Sequence, residues 1–336
     1  MKFPRHVVGA PWGLRINEPG AVYRHKSPDV NVWFRINSEG MRADRDYPRA
    51  KPAATKRIVS LGDSFTVGYE VGGDETFSSV LERELRKAGL SVEVLNTGVS
   101  GFGNAEECLY LERDLFDYQP DLVLVSFYQN DLVDNVRSDL LRLENGKLVA
   151  GSPTYVPGGW LGDFLNRNAL LNFLGGYSNA FAMLKERLNG IVKRDVVEQN
   201  LAQQAAATRG DVEGDAEVVR ERRLAAAIFE RIFRDCRGRG IPLLVQSIPM
   251  PNANEHPTEL LEFFPDEFDV HREGVTFFPA KTVLEPHLAT DVLYNVHSHQ
   301  HWTPLAHRLA GEALARVILE QHLLGPAASG PKPARP

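Results

Sequence analysis

The fold is decided by an almost uninterrupted apolar run, Leu122-Val123-Leu124-Val125-Ser126-Phe127. A strand buried on both faces of a parallel sheet has this composition, because helices cover both sides of such a sheet. Two shorter apolar runs come before it, Ile58-Val59-Ser60-Leu61 and Val92-Glu93-Val94-Leu95, and Pro242 to Ser247 follows later. The sequence therefore predicts a sheet in which Leu122 to Phe127 is a central parallel strand.

Helical patterns separate these strands. Between Thr76 and Ala88 the apolar residues recur at helical spacing on one face, and a second amphipathic pattern runs from Ala105 to Tyr118. Further helices are predicted from about Val218 to Arg237 and from Pro304 to about Leu323. Strand–helix alternation of this kind implies right-handed crossovers and a doubly wound, mainly parallel α/β sheet. Ligands of such sheets bind beyond the carboxyl ends of the strands.

We divide the chain into three parts. Residues 1–55 are rich in Pro, Gly and Arg and are expected to form an irregular or β-rich leader packed on the main domain. Residues 56–324 form the α/β domain, in which a Gly/Pro loop, an apolar piece and a polar stretch indicate an insertion at about 145–215. Residues 325–336 are rich in Pro, Gly and Ala and are expected to be a disordered tail.

The charge and composition exclude several classes of protein. The 336 residues carry a formal net charge of −6, which does not mark the chain as a nucleic-acid binder. Residues 1–57 are nevertheless basic, so the leader either contacts an anionic partner or pairs with the acidic body. Two cysteines are too few for a disulfide framework. Because no signal-like segment and no stretch of about 18 apolar residues is present, we expect a cytoplasmic protein without a membrane span.

Three polar blocks directly follow predicted strands. Leu61-Gly62-Asp63-Ser64 follows the first strand, where a serine on a turn is exposed to the cleft and can offer its N–H group to an oxyanion. Asn96 to Gly103 follows the second strand and holds three glycines, which let the backbone approach a ligand closely. Tyr128 to Asp131 follows the third strand, and the Asn130 amide can donate to an oxyanion. Taken singly, Gly-Asp-Ser and Asn-Asp are also common turns.

The fourth block lies immediately before the last helix. It reads Val296-His297-Ser298-His299-Gln300-His301-Trp302-Thr303-Pro304. Proline favours the first turn of a helix, which places His301 in the preceding loop. The His-x-His-x-His spacing would put three imidazoles on one side of a strand, but no Asp, Glu or Cys flanks the run to complete a ligand set. We predict neither a metal nor another cofactor.

In this order the four blocks resemble the SGNH, or GDSL-like, hydrolase family. The serine block matches Gly62-Asp63-Ser64-Phe65, the glycine block Val99-Ser100-Gly101, the asparagine block Gln129-Asn130-Asp131, and the histidine block His301-Trp302-Thr303-Pro304 followed by His307. The resemblance spans roughly Ile58 to Leu319 and leaves the insertion unmatched. It implies the flavodoxin-like three-layer α/β/α fold of that family.

The resemblance also implies an esterase or acyl-transfer site. Ser64 would attack an ester carbonyl after His301 removes its proton. The oxyanion would be held by the N–H groups of Ser64 and Gly101 and by the Asn130 side chain. Asp63 is expected to brace the loop rather than react.

The sequence departs from the family at the acid that orients the base. In the family an aspartate stands two or three residues before the histidine, and those positions here are His299 and Ser298. Three alternatives stay open. The site is a Ser–His dyad oriented by a backbone carbonyl or Ser298; or a carboxylate comes from elsewhere, Asp291 being the nearest preceding one; or the site is inactive.

Three functions are compatible with such a site. The first is a carboxylic-ester hydrolase that removes a small acyl group, such as acetyl, from a larger carrier like a carbohydrate. The second is an O-acyltransferase that uses the same acyl-serine and excludes water. The third is a non-catalytic ligand-binding protein on the same scaffold. The expected partner is a small-molecule or carbohydrate ester, and the oligomeric state is left open.

Overall fold

The computed structural model describes residues 7–10, 13–151, 212–252, 259–297 and 300–325. Most of the predicted insertion and nearly all of the predicted tail lie outside the described residues. Ser298 and His299, the two candidate orienting residues next to His301, also lie outside them.

The described elements follow one another along the chain. The strands are β1 (Val7–Gly9), β2 (Arg15–Asn17), β3 (Val22–Lys26), β4 (Asn31–Arg35), β5 (Lys56–Leu61), β6 (Val92–Asn96), β7 (Leu122–Phe127), β8 (Leu141–Glu144), β9 (Lys147–Ala150), β10 (Leu243–Ser247), β11 (Met250–Pro251), β12 (Leu260–Leu261) and β13 (Val275–Pro279). The α-helices are α1 (Ser64–Val67), α2 (Phe77–Lys87), α3 (Asn104–Arg113), α4 (Asn130–Ser138), α5 (Val212–Gly238), α6 (Lys281–Leu284) and α7 (Pro304–Glu320). Short 3₁₀ helices lie at Gly73–Glu75, Leu115–Tyr118 and Glu285–His287.

Five of these strands form one parallel sheet in the order β6-β5-β7-β10-β13. The chain builds β5 first, adds β6 on one side, and then continues with β7, β10 and β13 on the other. The strand order therefore reverses between β5 and β7. In open α/β sheets this switch point is where ligands bind, beyond the carboxyl ends of the strands.

Two apolar cores cover the two faces of this sheet. One contains buried residues of α3 and α5, such as Leu111 and Phe229, packed against Val123 and Val125 of β7. The other contains residues of α2 and α7, such as Leu81, packed against the alternate residues of the same strands. The result is the three-layer α/β/α arrangement, which confirms the predicted fold class.

Several boundaries differ from those the sequence predicted. The edge strand β13 falls within a segment interpreted from sequence as a long connection. Its residues are alternately buried and half-buried, so it lacks the continuous apolar run of a central strand. The second predicted helix ends at Arg113, and a 3₁₀ turn continues to Tyr118. The β8–β9 hairpin occupies the start of the predicted insertion at 145, and α5 begins before its end at 215.

The leader forms two hairpins, β1–β2 and β3–β4. Basic residues in β2 and in the segment after β4 form ion pairs with the α/β domain. Arg15 pairs with Glu106 of α3 at 2.9 Å, and Arg45 pairs with Glu82 of α2 at the same distance. Arg49 pairs with Asp114 at 2.6 Å. Of the two interpretations of the basic leader, these ion pairs favour the one in which its charge is matched by the acidic body. Within the described part of the chain, no helix combines the length and the apolar character that crossing a bilayer requires.

Candidate active site

Ser64 lies at the carboxyl end of β5, as the first residue of the short helix α1. Asp63 caps this helix, because its Oδ1 accepts the N–H of Phe65 at 2.9 Å. The cap turns the chain sharply out of the sheet. The Ser64 side chain is consequently left partly accessible at the switch point, while its neighbours on both sides are buried.

The His301 imidazole meets this serine, with Nε2 2.7 Å from Ser64 Oγ. Backbone hydrogen bonds hold the loop of His301 in place. Asn295 N donates to the His301 carbonyl at 2.8 Å, and Tyr294 and Trp302 form an isolated antiparallel β-bridge. The ring lies between two aromatic side chains, with centroids 4.9 Å from Phe65 and 5.3 Å from Tyr69. The sequence-predicted nucleophile and base are therefore brought together.

The glycine block lies beside the serine block. Val99 N donates to the Gly62 carbonyl at 3.1 Å. A Cβ on Gly98 would stand 2.4 Å from the backbone N of Val67, so only glycine allows the two loops to approach this closely. The leader supports the block from outside, because Arg15 donates to the Gly101 carbonyl.

Asn130 begins α4 directly after β7, the neighbour of β5 in the sheet. Its Nδ2 donates to Asp134 Oδ2 at 3.1 Å, and its side chain also hydrogen-bonds Asp63. Asn130 therefore lies beside the serine block, and its amide bonds to carboxylates in the free protein.

A group of buried carboxyls lies beneath these loops. Burial raises the pKa of Asp63 to about 6, although hydrogen bonds from Phe65, Asn130 and Ser64 oppose the rise. Burial also raises the pKa values of Glu107 and Asp131 well above the usual range, and repulsion from the neighbouring Asp63 adds to the effect in both. Asn104 Nδ2 joins these two carboxyls, at 3.2 and 3.3 Å. The floor of the site is thus held by hydrogen bonds between groups that favour their neutral forms.

The carboxylate beside His301 is not the one that the sequence suggested. Asp291 is exposed, and its carboxylate accepts from Thr290 at 2.8 Å and lies 3.1 Å from His287 Nδ1. The structure instead brings Glu70 to His301, with Oε2 3.8 Å from Nδ1. The Glu70 side chain is fully buried. Asp291 lies in an exposed turn and contacts His287, so of the alternatives left open by the sequence the structure favours a carboxylate from elsewhere, but not Asp291.

Sequence reasoning missed Glu70 even though it lies only a few residues after Ser64. The one available signal was its position shortly after the serine block, where a charged side chain next to a glycine turn is usually interpreted as solvent-exposed. Nothing in the local pattern shows that the turn carries this carboxylate inward.

His307 has a structural environment. Its Nδ1 accepts the N–H of Phe77 at 3.1 Å, and its ring stacks on the Phe77 ring. Burial lowers the pKa of His307 to about 3, and the neighbouring His301 adds to the effect. It is therefore neutral at physiological pH and ties α7 to α2. Among the described residues, no group of three or more His, Cys, Asp or Glu side chains is arranged to hold a metal ion.

Part of the chain is similar to known proteins. Residues 58–152 match the GDSL-like lipase/acylhydrolase family. An arylesterase of Vibrio mimicus is 32% identical over 82 residues, which cover 24% of this chain and 41% of that protein. The chain thus aligns with less than half the length of this relative.

Solved structures also resemble the chain. A lipolytic protein of the G-D-S-L family from Desulfitobacterium hafniense is 13% identical, with 78% of this chain and 99% of that one covered and a TM-score of 0.37. An inhibitor-bound aryl esterase of M. smegmatis is 17% identical, with 79% and 99% covered and a TM-score of 0.35.

The matched segment, residues 58–152, contains the serine, glycine and asparagine blocks. The strand order places all three blocks at the carboxyl edge of the sheet. His301, which lies 237 positions after Ser64 in the sequence, contacts the serine there. Over residues 58–152 the chain is therefore similar to the GDSL-like lipase/acylhydrolase family, and this matched part holds the serine of the candidate site.

Proposed function

We propose that this protein is a serine esterase that hydrolyses carboxylic esters through an acyl-Ser64 intermediate. The observation that carries the proposal is the 2.7 Å contact between Ser64 Oγ and His301 Nε2 at the switch point of the sheet. A serine hydroxyl is a weak nucleophile on its own, and a hydrogen-bonded imidazole activates it. The family match and the arylesterase relative support ester bonds as the target.

The reaction has two halves that the same residues serve. His301 Nε2 takes the hydroxyl proton while Ser64 Oγ attacks the ester carbonyl carbon, which forms a tetrahedral oxyanion. Collapse of this intermediate breaks the bond to the alcohol oxygen, and His301 returns the proton to the departing alcohol. Water then attacks the acyl-serine with His301 again as base, and the acid product leaves.

The oxyanion is stabilised by donors from three blocks. We assign the N–H groups of Ser64 and Gly101 and the Asn130 side chain to this role. The packing of Gly98 against Val67 supports the assignment, because it brings the glycine block against α1. Asn130 follows the strand next to β5, and its amide already bonds Asp63 beside the serine.

The finer proposal concerns the substrate. We propose a small acyl group, such as acetyl, carried by a larger alcohol such as a carbohydrate. Its support is analogy with the family that residues 58–152 match. Rates with p-nitrophenyl acetate and octanoate compare acyl lengths, and acetate release from an acetylated polysaccharide tests the carrier.

The nucleophile is tested with a fluorophosphonate probe and with p-nitrophenyl acetate. We expect Ser64→Ala to abolish labelling and to lower kcat/KM on the order of 10⁴- to 10⁶-fold, because the covalent intermediate cannot form. His301→Gln should lower kcat/KM by a similar factor. The matched control is Ser91→Ala, which removes an exposed hydroxyl far from the cleft. Labelling or turnover that survives in Ser64→Ala would contradict the proposal.

The same preparation separates the two alternatives. An O-acyltransferase would transfer the acyl group from Ser64 to an added sugar alcohol in preference to water, which the ratio of new ester to free acid measures. A non-catalytic protein would show neither labelling nor turnover. The Ser64–His301 contact favours an active enzyme over this last alternative.

A further inference from the structure

Glu70 is carried toward His301 by a tight turn after α1. Gly68 ends the helix in the left-handed conformation, at φ 70°, and its N–H donates to the Phe65 carbonyl. Tyr69 N then donates to the Ser64 carbonyl at 3.0 Å, so the turn folds back over the serine. A Cβ on Gly68 would stand 2.4 Å from the Thr76 side chain, which adds steric pressure for glycine. The turn therefore fixes the nucleophile and the Glu70 carboxylate in one local unit.

The protonation of His301 follows from its contact with the serine. For Nε2 to accept the Ser64 proton, the neutral imidazole must hold its own proton on Nδ1. That nitrogen faces Glu70 Oε2 at 3.8 Å. The distance is that of an ion pair, and catalytic contacts commonly shorten when substrate binds. A buried carboxylate in this place favours the Nδ1–H tautomer and stabilises the imidazolium that forms during attack.

The other oxygen of Glu70 faces the leader. Glu70 Oε1 lies 3.8 Å from Nε2 of His25, a buried residue of β3. The Tyr69 ring contacts both imidazoles, with centroids 4.5 Å from His25 and 5.3 Å from His301. Glu70 thus lies between two histidines, one from each end of the chain.

A second residue of the leader contacts the backbone directly after Glu70. Arg42 of the leader donates to the Val71 carbonyl at 3.0 Å, and its guanidinium lies 3.4 Å from the centre of the Phe34 ring. Burial lowers the pKa of Arg42 to about 10, so it stays cationic at neutral pH. Burying a carboxylate is costly unless positive or donor groups compensate it. The leader provides one such group in His25, and Arg42 fixes the backbone at Val71, next to Glu70.

We propose that Glu70 is the positioning residue for His301, in place of the aspartate that the histidine block lacks, and that His25 of the leader holds the Glu70 carboxylate in place. The leader then contributes a residue to the active site and does not merely pack on the domain. This inference rests on the proposed esterase function, because it concerns the base of that reaction.

The main test is Glu70→Gln, with kcat and KM for p-nitrophenyl acetate measured between pH 5 and 9. Removing the acid of a catalytic triad costs up to about 10⁴-fold in kcat, so we expect a fall of about 10²- to 10⁴-fold with KM little changed. A carboxylate favours the imidazolium, so its loss should move the midpoint of the rising limb about one pH unit lower. Glu70→Asp should recover part of kcat and restore the midpoint. Glu84→Gln is the control, because it removes an α2 carboxylate that pairs with Lys87.

His25→Phe tests the leader. Phenylalanine keeps the ring that packs on Tyr69 and removes the nitrogen that faces Glu70. We expect kcat to fall about 3- to 30-fold in the same assay. The midpoint of the rising part of the pH profile should also be displaced, in the same direction as in Glu70→Gln. In Glu70→Gln the same change should have no further effect on kcat, because the carboxylate that His25 holds is already gone. Additive losses in the double variant would overturn the role of His25.

A measurement on the unaltered enzyme covers the case in which a Glu70 variant fails to fold. Nitrogen-15 NMR of histidine-labelled protein, with His301 assigned by its absence in His301→Asn, reports which ring nitrogen holds the proton. We expect Nδ1, and a proton on Nε2 would overturn the inference. If Ser64→Ala leaves activity intact, the esterase proposal itself fails. If Ser64→Ala is inactive while Glu70→Gln retains wild-type kcat and limb midpoint, only the role of Glu70 fails.

Discussion

The two sides of the active site are built in different ways. The serine side stands on the carboxyl ends of β5, β6 and β7, which are neighbours in one sheet. The histidine side has no strand beneath it. His301 lies in a loop before α7, Glu70 lies beside its imidazole, and His25 of the leader contacts the other oxygen of Glu70. The first side is fixed by the hydrogen bonds of the sheet, and the second by the docking of separate parts of the chain.

This difference explains what could be predicted from the sequence. Ser64, Gly101 and Asn130 each follow an apolar run, and parallel strands bring their carboxyl ends to one edge, so their proximity follows from the fold class. The partner of His301 has no such rule. Glu70 lies in the turn before α2 and His301 in the loop before α7, two helices that pack in the same core, and no local pattern at either residue encodes their contact. Sequence comparison around His301 alone pointed to Asp291, which has His287 as its partner.

The largest loss of activity that tests the difference between the two sides is expected on the serine side. Asn130→Ala should lower kcat for p-nitrophenyl acetate by about 100- to 1000-fold, the usual loss for one oxyanion donor. KM should change little, because the donor acts on charge that develops in the transition state. Asn135→Ala on the same helix is not a suitable control, since its amide bonds Asn104 beneath the site. The exposed Val136→Ala serves instead. A loss below about threefold would remove Asn130 from the oxyanion site.

The next effect concerns the anchoring of the histidine side. The pKa of His307 is lowered to about 3 in the fold against about 6.5 when unfolded, so its neutral form stabilises the protein above pH 6.5. That stability is lost as the pH falls from 6.5 toward 3, and the loss reaches about 2 kcal/mol at pH 5. His307→Asn keeps an acceptor for Phe77 N–H and does not titrate. We expect urea unfolding at pH 7.5 and 5 to show a smaller acid-induced loss in the variant. Equal losses would contradict a buried neutral His307.

The smallest effect is expected at Asp291. Asp291→Asn should leave kcat/KM within about twofold of wild type, because its carboxylate faces His287 and Thr290 on an exposed turn, where charge pairs contribute little. The measurement is the same pH profile as for Glu70→Gln. A steep loss of kcat/KM in Asp291→Asn, with a displaced midpoint of the rising part of the pH profile, would assign the orienting role to Asp291 and not to Glu70. It would also remove the contrast between the two sides.

The separation of Ser64 and His301 by 237 positions has a consequence for synthesis of the protein. During translation the strands β5 to β7 and the serine emerge long before the loop that carries His301. A domain generally folds as a unit, and until α7 has been made the face of α2 that it covers stays exposed. Such a chain holds a nucleophile without a base. Esterase activity should therefore appear only with the last helix, and a chain that stops short of it should be inert toward esters and prone to aggregation.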